Sequence, residues 1–356
     1  MIDMGGNELE CIARGQLANH RSRRALDSSG GDPAAGRQDL LRRFTATPYS
    51  RSLQLMQRTI RVETNHRALL DLTQESFGAH QHGRVVKPRF LWRIVCESDP
   101  EVQSTALPLS AFSDAGIRYV GVGQRGFFAV DLEARKAVAF LSDRFVERNA
   151  RLRDRPPLDI LFCMTAASLG LTALSAGCVG TGGRGLVVFG PPNSGKTTAS
   201  YLAAKRGLEF HSDQVVFLDM KHKVLRAWGD PFPAVFRPET VEFLPELRQL
   251  SHQSSYANLS FFYFDKKPMQ PRLAHPVAPI GSIFLERAAE CDKRLRSIPY
   301  DEVVSRLRSY MLFNESPEFD EQVSGAIAAL ATKQSYSLKY GSDPKIAAAV
   351  IEEMLT

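Results

Sequence analysis

The nine residues GPPNSGKTT, at positions 190 to 198, constrain the fold of this 356-residue chain more than any other feature. They match the phosphate-binding pattern G-x-x-x-x-G-K-[ST] (Walker A), which needs a strand before it and a helix after it. The apolar run LVVF at 186 to 189 predicts a buried strand, and residues 196 to 206 have the periodicity of a helix that ends at Gly207. Strand, loop and helix therefore follow in the order that phosphate binding requires.

The chemistry of this loop follows from its residue types. Small residues and two glycines let backbone N–H groups converge on phosphate oxygens, and the helix adds unpaired amides and the positive end of its dipole. Lys196 is expected to neutralise the β- and γ-phosphate oxygens, and the Thr197 hydroxyl to ligate Mg²⁺. The predicted residues for binding ATP are Gly190, Pro191, Pro192, Asn193, Ser194, Gly195, Lys196, Thr197 and Thr198. The motif predicts nucleotide binding and does not say what is done with the nucleotide.

Phosphoryl transfer also needs a carboxylate, to complete the metal site or to deprotonate an acceptor. Two acids follow the loop, Asp213 in HSDQVVF and Asp219 at the end of VVFLD. They lie about 20 Å apart along an extended strand at roughly 3.4 Å per residue, so only one can reach the phosphates. The short return from the helix end at Gly207 favours Asp213 as metal ligand or general base, and leaves Asp219 to cap a hairpin turn. The predicted catalytic residues are Asp213 and Lys196, and the predicted metal ligands are Thr197 and Asp213.

The rest of the chain divides by composition. Residues 1–55 lack periodicity and contain the loop-like SSGGDPAAG, so we expect disorder there, or a true start at Met56. Residues 56–155 predict a small α+β domain with one helix near 66–75. Its predicted strands lie near 59–63, 90–96, 118–122, 127–132 and 137–141. A Pro-Pro pair opens the predicted nucleotide-binding unit, 156–356, whose residues 158 to 176 predict one buried helix.

Composition excludes several classes of protein. No window approaches 18 consecutive apolar residues and the N-terminus lacks a signal-peptide pattern, so we predict a cytoplasmic protein without membrane segments. Five scattered cysteines without a CxxC pair predict reduced thiols rather than disulfides or a zinc site. The net charge of +6 is spread along the chain, and its densest basic run, 144–155, is interleaved with acids, which argues against a nucleic-acid partner. The sequence leaves a homo-oligomer open.

The order of strand, GPPNSGKTT, helix and AAKRGLEFHSDQVVFL resembles the catalytic core of HPr kinase/phosphorylase and its bacterial relatives. These proteins share a phosphate-loop kinase core with ATP-dependent phosphoenolpyruvate carboxykinase. The resemblance implies an α/β fold, with that core on a mixed, partly antiparallel sheet, preceded by a smaller α+β domain. In the family an Arg-Gly pair closes the helix, here Arg206-Gly207, and a Ser/Ala-Asp-acidic motif carries the catalytic carboxylates, here Ser212-Asp213. Looser similarity runs from IRVETNHRALLDL to YSLKYGSDPKIAAAVIEEML, as in the HPr-kinase-related proteins.

Two positions depart from the family pattern. Gln214 stands where the family has a second acid, and Ser175 where members tend to carry a histidine. An amide can ligate or hydrogen-bond but cannot take a proton. Two functions therefore stay open: an ATP-dependent phosphotransferase acting on a hydroxyl of a peptide, protein or small molecule, and a catalytically weak nucleotide-binding regulatory module. HPr fits poorly as acceptor, because no counterpart of the family's arginine-rich segment is evident.

Other residues are weaker candidates. His211 could assist the phosphates, although such a histidine more often packs or hydrogen-bonds. Arg237 and Arg287 could stabilise transferred phosphate charge, although surface ion pairs are their commoner role. The aromatic run 261–264 predicts a buried strand rather than a stacking platform. Carboxykinase activity fits less well, because no second cluster of metal ligands and arginines is evident.

Overall fold

The structure is a computed structural model of the chain. It describes residues 45–77, 87–98, 109–114, 116–122, 126–143, 146, 156–256, 259–264, 275–288, 293–313 and 317–356. Within these ranges the protein is a mixed α/β fold of four β-sheets with helices packed against them. The predicted α/β class and mixed sheet are confirmed at that level. The basic run predicted as a solvated linker, 144–155, lies outside the described residues apart from one position.

The first sheet precedes the nucleotide-binding motif in the chain. Its strands are β1 (Tyr49–Leu55), β2 (Arg58–Thr64), β3 (Phe90–Glu97), β4 (Leu109–Asp114), β5 (Ile117–Val122), β6 (Gly126–Asp131) and β7 (Lys136–Ser142). They lie in the order β1-β2-β3-β7-β6-β5-β4, with β2, β3 and β7 parallel and the other pairs antiparallel. Helix α1 (Arg67–Phe77) lies between β2 and β3 in the chain, because parallel neighbours need a crossover connection.

The predicted helix and all five predicted strands of this region are present, and two strands were not predicted. Residues 49–55, expected to be part of a disordered segment, form β1 and pair with β2 along their whole length. The turn between them, Met56 and Gln57, has φ of 48° and 64° and contains no glycine or asparagine that would signal a hairpin. The rest of the expected disordered segment, up to residue 44, lies outside the described residues.

Twelve further described strands follow in the second part of the chain. They are β8 (Leu171–Ser175), β9 (Gly177–Thr181), β10 (Arg184–Phe189), β11 (Glu209–Ser212), β12 (Val215–Lys221), β13 (Val224–Gly229), β14 (Ala234–Phe236), β15 (Ser251–Tyr256), β16 (Leu259–Phe264), β17 (Ala278–Arg287), β18 (Arg294–Ser297) and β19 (Gln334–Tyr340). The helices are α2 (Pro156–Thr165), a 3₁₀ helix (Ala167–Leu169), α3 (Lys196–Lys205), α4 (Pro238–Phe243), α5 (Leu247–Leu250), α6 (Tyr300–Ser309), α7 (Pro317–Ala331) and α8 (Pro344–Leu355).

A six-stranded sheet, β11-β9-β10-β17-β19-β18, carries the nucleotide-binding motif. Its strands β10, β17 and β19 are parallel, and the outer pairs are antiparallel. Because side chains alternate along a strand, β10 buries Leu186 and Val188 against α3 and α8, and Val187 and Phe189 against β12 and α7. The smaller sheets are β13-β12-β8 and β14-β16-β15. Among the described residues, no helix is both long and apolar enough to cross a membrane.

The single helix predicted over 158–176 is wrong. Helix α2 ends at Thr165, and β8 starts only six residues later and pairs antiparallel with β12. Gly170 separates the two elements with φ of 76°, a left-handed conformation that ends helices. Both elements are mostly apolar, and periodicity alone cannot distinguish a buried helix from a buried strand.

The predicted hairpin from β12 to β13 is present, with positive φ at both turn residues, His222 and Lys223. The prediction that Asp219 caps this turn is wrong, because Asp219 lies inside β12 and is 2% exposed. Its carboxylate accepts two hydrogen bonds from the guanidinium of Arg58, at 2.8 and 2.9 Å. This buried ion pair joins β2 of the first sheet to the smaller sheet that contains β12.

One hydrophobic cluster also joins the two parts of the chain. It contains Phe77 and Trp92 from the first sheet and its helix, with ring centroids 6.0 Å apart. Phe77 also contacts Phe162 of α2 at 5.9 Å and Phe232 at 6.4 Å. Phe217 of β12 packs on Phe162 at 5.0 Å. The residues before and after the Pro-Pro pair therefore share one aromatic core.

Candidate functional site

The predicted phosphate loop connects β10 to α3. β10 ends at Phe189, residues 190–195 form the turn, and α3 begins at Lys196. The first helical hydrogen bond runs from the Ala199 amide to the Gly195 carbonyl, at 2.8 Å. The amides of the first helical turn have no intrahelical acceptors, so they and the dipole favour an anion at this end.

Packing requires both glycines of the loop. Gly195 has φ of 87°, and a Cβ on it would lie 2.4 Å from the hydroxyl of Tyr340. A Cβ on Gly190 would lie 2.8 Å from the carbonyl oxygen of Leu285. The Tyr340 hydroxyl donates to the Ser194 carbonyl at 2.5 Å, and burial raises the pKa of Tyr340, which keeps it a donor. The neighbouring strands thus fix the backbone of the loop.

Lys196 is 8% exposed and lies against the loop that precedes it. Its Nζ donates to the carbonyl of Gly190 at 2.6 Å, with the carbonyl of Pro191 at 3.4 Å. A buried ammonium group is stable only when oxygen atoms surround it. Nζ of Lys196 therefore lies against the loop itself, at the edge of the cavity that the loop lines.

The structure brings Thr197 and Asp213 together and keeps Asp219 apart from them. Asp213 follows β11 and is 1% exposed. Its Oδ2 lies 3.4 Å from Thr197 Oγ1 and accepts a hydrogen bond from the Val235 amide at 3.3 Å. Asp219 is paired with Arg58 instead. The return of the chain after α3 thus brings Asp213 to the loop.

These groups line one cavity of about 300 Å³, in the size range of small-molecule sites. The loop side comprises residues 191–198, with Asp213 beside them. Gly190 is not among the lining residues. The other lining residues are Ser175, Gln214, Val235, Phe236, Arg237, Glu239, Thr240 and Arg287. Both positions that depart from the family pattern therefore face the same cavity as the loop.

The sequence left two roles open for Arg237 and Arg287, stabilising phosphate charge or forming surface ion pairs, and in the structure both line the cavity. Arg237 is the residue before α4, and Arg287 ends β17 and donates to the Ser342 carbonyl at 2.7 Å. Within the part of the chain that the structure describes, neither forms an ion pair with a carboxylate. Partly exposed guanidinium groups without a protein counter-ion favour anionic ligands.

His211 does not take part in the cavity. It is buried, and its Nε2 forms a hydrogen bond of 3.1 Å with the carboxylate of Glu209. A packing role, which the sequence favoured, agrees with this position.

Sequence reasoning missed Asp230, which is completely buried after β13. Its Oδ2 accepts from Ser212 Oγ at 2.5 Å and from the Val215 amide at 3.2 Å. Ser212 directly precedes Asp213 in the chain, and Val215 follows it by two residues. The sequence signal was the Gly-Asp-Pro turn at the end of a strand, which is typical of many surface loops as well.

No protein-family model and no curated protein matches the chain. Among solved structures, the Hpr(Ser) kinase/phosphatase from Coxiella burnetii is similar, with a TM-score of 0.27 and 10% sequence identity. The match covers 51% of this chain and 95% of that chain. These values support a distant structural relationship at most.

Proposed function

We propose that the protein binds ATP and Mg²⁺ at the loop of residues 190–195 and transfers a phosphoryl group to a hydroxyl of a peptide, protein or small molecule. The supporting observation is the juxtaposition of Thr197 and Asp213, whose side-chain oxygens lie 3.4 Å apart in the cavity that the loop lines. A hydroxyl and a carboxylate beside a phosphate-binding turn are the protein groups that phosphoryl transfer uses.

These two oxygens fit Mg²⁺. Magnesium takes oxygen ligands at about 2.0–2.1 Å in an octahedron, so neighbouring ligands lie roughly 3 Å apart. Thr197 Oγ1 and Asp213 Oδ2 are close to that separation without rearrangement. Mg²⁺ usually binds through one or two protein groups plus phosphates, and when bound it neutralises charge on the transferred group.

The protein's own residues then have distinct roles. The loop amides and Lys196 hold the phosphates, and Asp213 accepts the proton of the acceptor hydroxyl or orients the metal's water. Arg237 and Arg287 reach the same cavity and stabilise the charge of the phosphates. Catalysis of this kind is mostly positioning and charge neutralisation.

Calorimetry on the full chain, with ATP in the presence and absence of Mg²⁺, tests the binding part. We expect Mg²⁺-dependent binding that Thr197→Ala weakens. Thr332→Ala is the matched control, because this exposed threonine at the end of α7 is remote from the cavity. Absence of ATP binding would refute the proposal, and binding indifferent to Mg²⁺ would exclude the metal site.

Labelled ATP tests the transfer part. With γ-labelled ATP and a cell extract as the source of acceptors, label should appear on an acceptor, and Asp213→Asn should lower the rate by about 10²- to 10⁴-fold. If no acceptor in the extract is labelled, the transferase proposal is contradicted.

A second function is favoured by Gln214 and Ser175, which line the cavity where the family has groups that can take a proton. The chain would then be a regulatory module whose conformation follows nucleotide occupancy. The variant Gln214→Glu separates the two. A gain in transfer indicates a weakened enzyme, whereas unchanged, absent transfer with intact ATP binding supports the regulatory module.

A further inference from the structure

We propose that Asp230 is a positioning residue that fixes Asp213 for metal binding, without itself touching nucleotide or metal. The inference rests on the proposed function. It identifies a buried carboxylate outside the cavity as a determinant of Mg²⁺ affinity at that site.

Asp230 holds the backbone on both sides of Asp213. Its Oδ2 accepts from the hydroxyl of Ser212, the residue before Asp213, at 2.5 Å. The same oxygen accepts from the amide of Val215, two residues after it, at 3.2 Å. The short segment that carries Asp213 and Gln214 into the cavity is therefore fixed at each end by one carboxylate oxygen.

The residues after Asp230 also contact the segment that carries Asp213. Its Oδ1 accepts from the Phe232 amide at 3.0 Å, and the Val235 amide donates to the Asp213 carboxylate at 3.3 Å. The ring of Phe232 lies in the shared aromatic core, 6.5 Å from the ring of Phe162. Residues 230–235 thus bind the Asp213 turn at three points while their own aromatic side chain is anchored in the core.

Close packing of β13 against β11 brings Asp230 within hydrogen-bond distance of Ser212. The residue before it, Gly229, lies so near β11 that a Cβ there would fall 2.0 Å from the carbonyl oxygen of His211. This approach brings the end of β13 beside the end of β11. The Asp230 side chain, which is short, can therefore reach Ser212 directly.

A carboxylate fits this position because two backbone amides donate to its two different oxygens, Val215 to Oδ2 and Phe232 to Oδ1. The Ser212 hydroxyl lies 2.5 Å from Oδ2 and 2.7 Å from the Val215 carbonyl, so its one proton can serve either acceptor. Asparagine offers one acceptor oxygen, and its NH₂ group would face a backbone donor. Asp230→Asn therefore keeps the size of the side chain but removes one of the two hydrogen bonds that the carboxylate accepts from backbone amides. Residues that orient a metal ligand typically change metal affinity about 10- to 100-fold when they are substituted.

The test is calorimetric ATP binding to the full chain over a series of Mg²⁺ concentrations. Asp230→Asn and, independently, Ser212→Ala should raise the Mg²⁺ concentration that gives half of the maximal gain in ATP affinity by roughly tenfold. ATP affinity without Mg²⁺ should stay at the wild-type value, which a general loss of structure would not allow. The matched control is Ser335→Ala, since Ser335 is also buried but lies at the far end of β19.

The outcomes separate the two proposals. Wild-type protein without Mg²⁺-dependent ATP binding overturns the proposed function and this inference with it. Mg²⁺-dependent binding that is unchanged in both Asp230→Asn and Ser212→Ala overturns the inference alone. If Asp230→Asn does not fold, Ser212→Ala decides: a tenfold shift supports the positioning role, and a wild-type curve refutes it.

Discussion

Replacement of Asp219 by asparagine is expected to destabilise the protein and to leave nucleotide binding unchanged. The carboxylate is 2% exposed and forms two hydrogen bonds with the Arg58 guanidinium, which is 9% exposed. Removing one partner of a buried ion pair leaves the other charge desolvated, at a cost of about 3–5 kcal/mol. Arg58 keeps hydrogen bonds to the carbonyls of Met56 and Leu169, so we expect the lower end, about 3 kcal/mol.

The loss of unfolding free energy in Asp219→Asn is measurable by urea unfolding. The two tryptophans, Trp92 and Trp228, are both buried, so their fluorescence reports the transition. With a denaturant dependence of about 1–3 kcal/mol per molar, the midpoint should fall by on the order of 1 M. ATP affinity should match wild type below the transition, because Asp219 does not line the cavity. Asp213→Asn should show the reverse pattern, with lost Mg²⁺-dependent binding and a midpoint close to wild type.

The double variant Arg58→Met/Asp219→Leu is the control. Removing both charges together avoids the unpaired guanidinium, so this protein should be more stable than Asp219→Asn. An unchanged midpoint in Asp219→Asn would refute the reasoning, since it would mean that the pair is not desolvated.

Three further predictions concern the loop, the cavity and the thiols. Gly195→Ala places a methyl group 2.4 Å from a tyrosine hydroxyl and should abolish ATP binding, whereas Gly325→Ala in α7, with nothing within 4 Å, should keep it in calorimetry. Arg237→Gln should weaken ATP binding about tenfold more than ADP binding if the guanidinium contacts the terminal phosphate, and equal losses would exclude that contact. Burial raises the pKa of Cys96 to about 12, so mass spectrometry should find it unmodified by iodoacetamide at pH 8 until urea is added. Because the unfolded thiol ionises first, this residue should also lower the free energy of unfolding as pH rises above about 9.

Local patterns predicted the elements around the site, and long-range packing decided what they could not. The loop between β10 and α3 and the β12–β13 hairpin follow from residues that are neighbours in the chain. β8 was mistaken for helix because it is buried along its whole length, like the helix before it, and only Gly170 marks the break. Arg237 and Arg287 line the cavity, and Asp230 holds the turn that carries Asp213, because sheet pairing and tight turns bring these residues there, and single residue types carry no signal for such contacts.

The partner of Asp219 was hidden for the same reason. A strand ending in Val-Val-Phe-Leu-Asp is typical both of a metal-linked acid and of a turn cap. In the structure that carboxylate forms an ion pair with Arg58, which lies in a strand more than 150 residues earlier in the chain. An ion pair between residues so far apart in the chain cannot be predicted before it is known which strands lie next to each other.

The aromatic core shared by the two parts of the chain has a consequence for how the protein loses its function. Phe232 packs against Phe77 and Phe162 and lies in the segment that holds Asp213, so the geometry of the acid depends on a core built partly from the first sheet. Melting of that sheet would release the acid turn at the same moment. A protein made from residue 156 onward would expose the faces of several aromatic rings to water and would be prone to aggregate. Activity and global structure are therefore expected to fail in one cooperative step, with no folded but inactive core left behind.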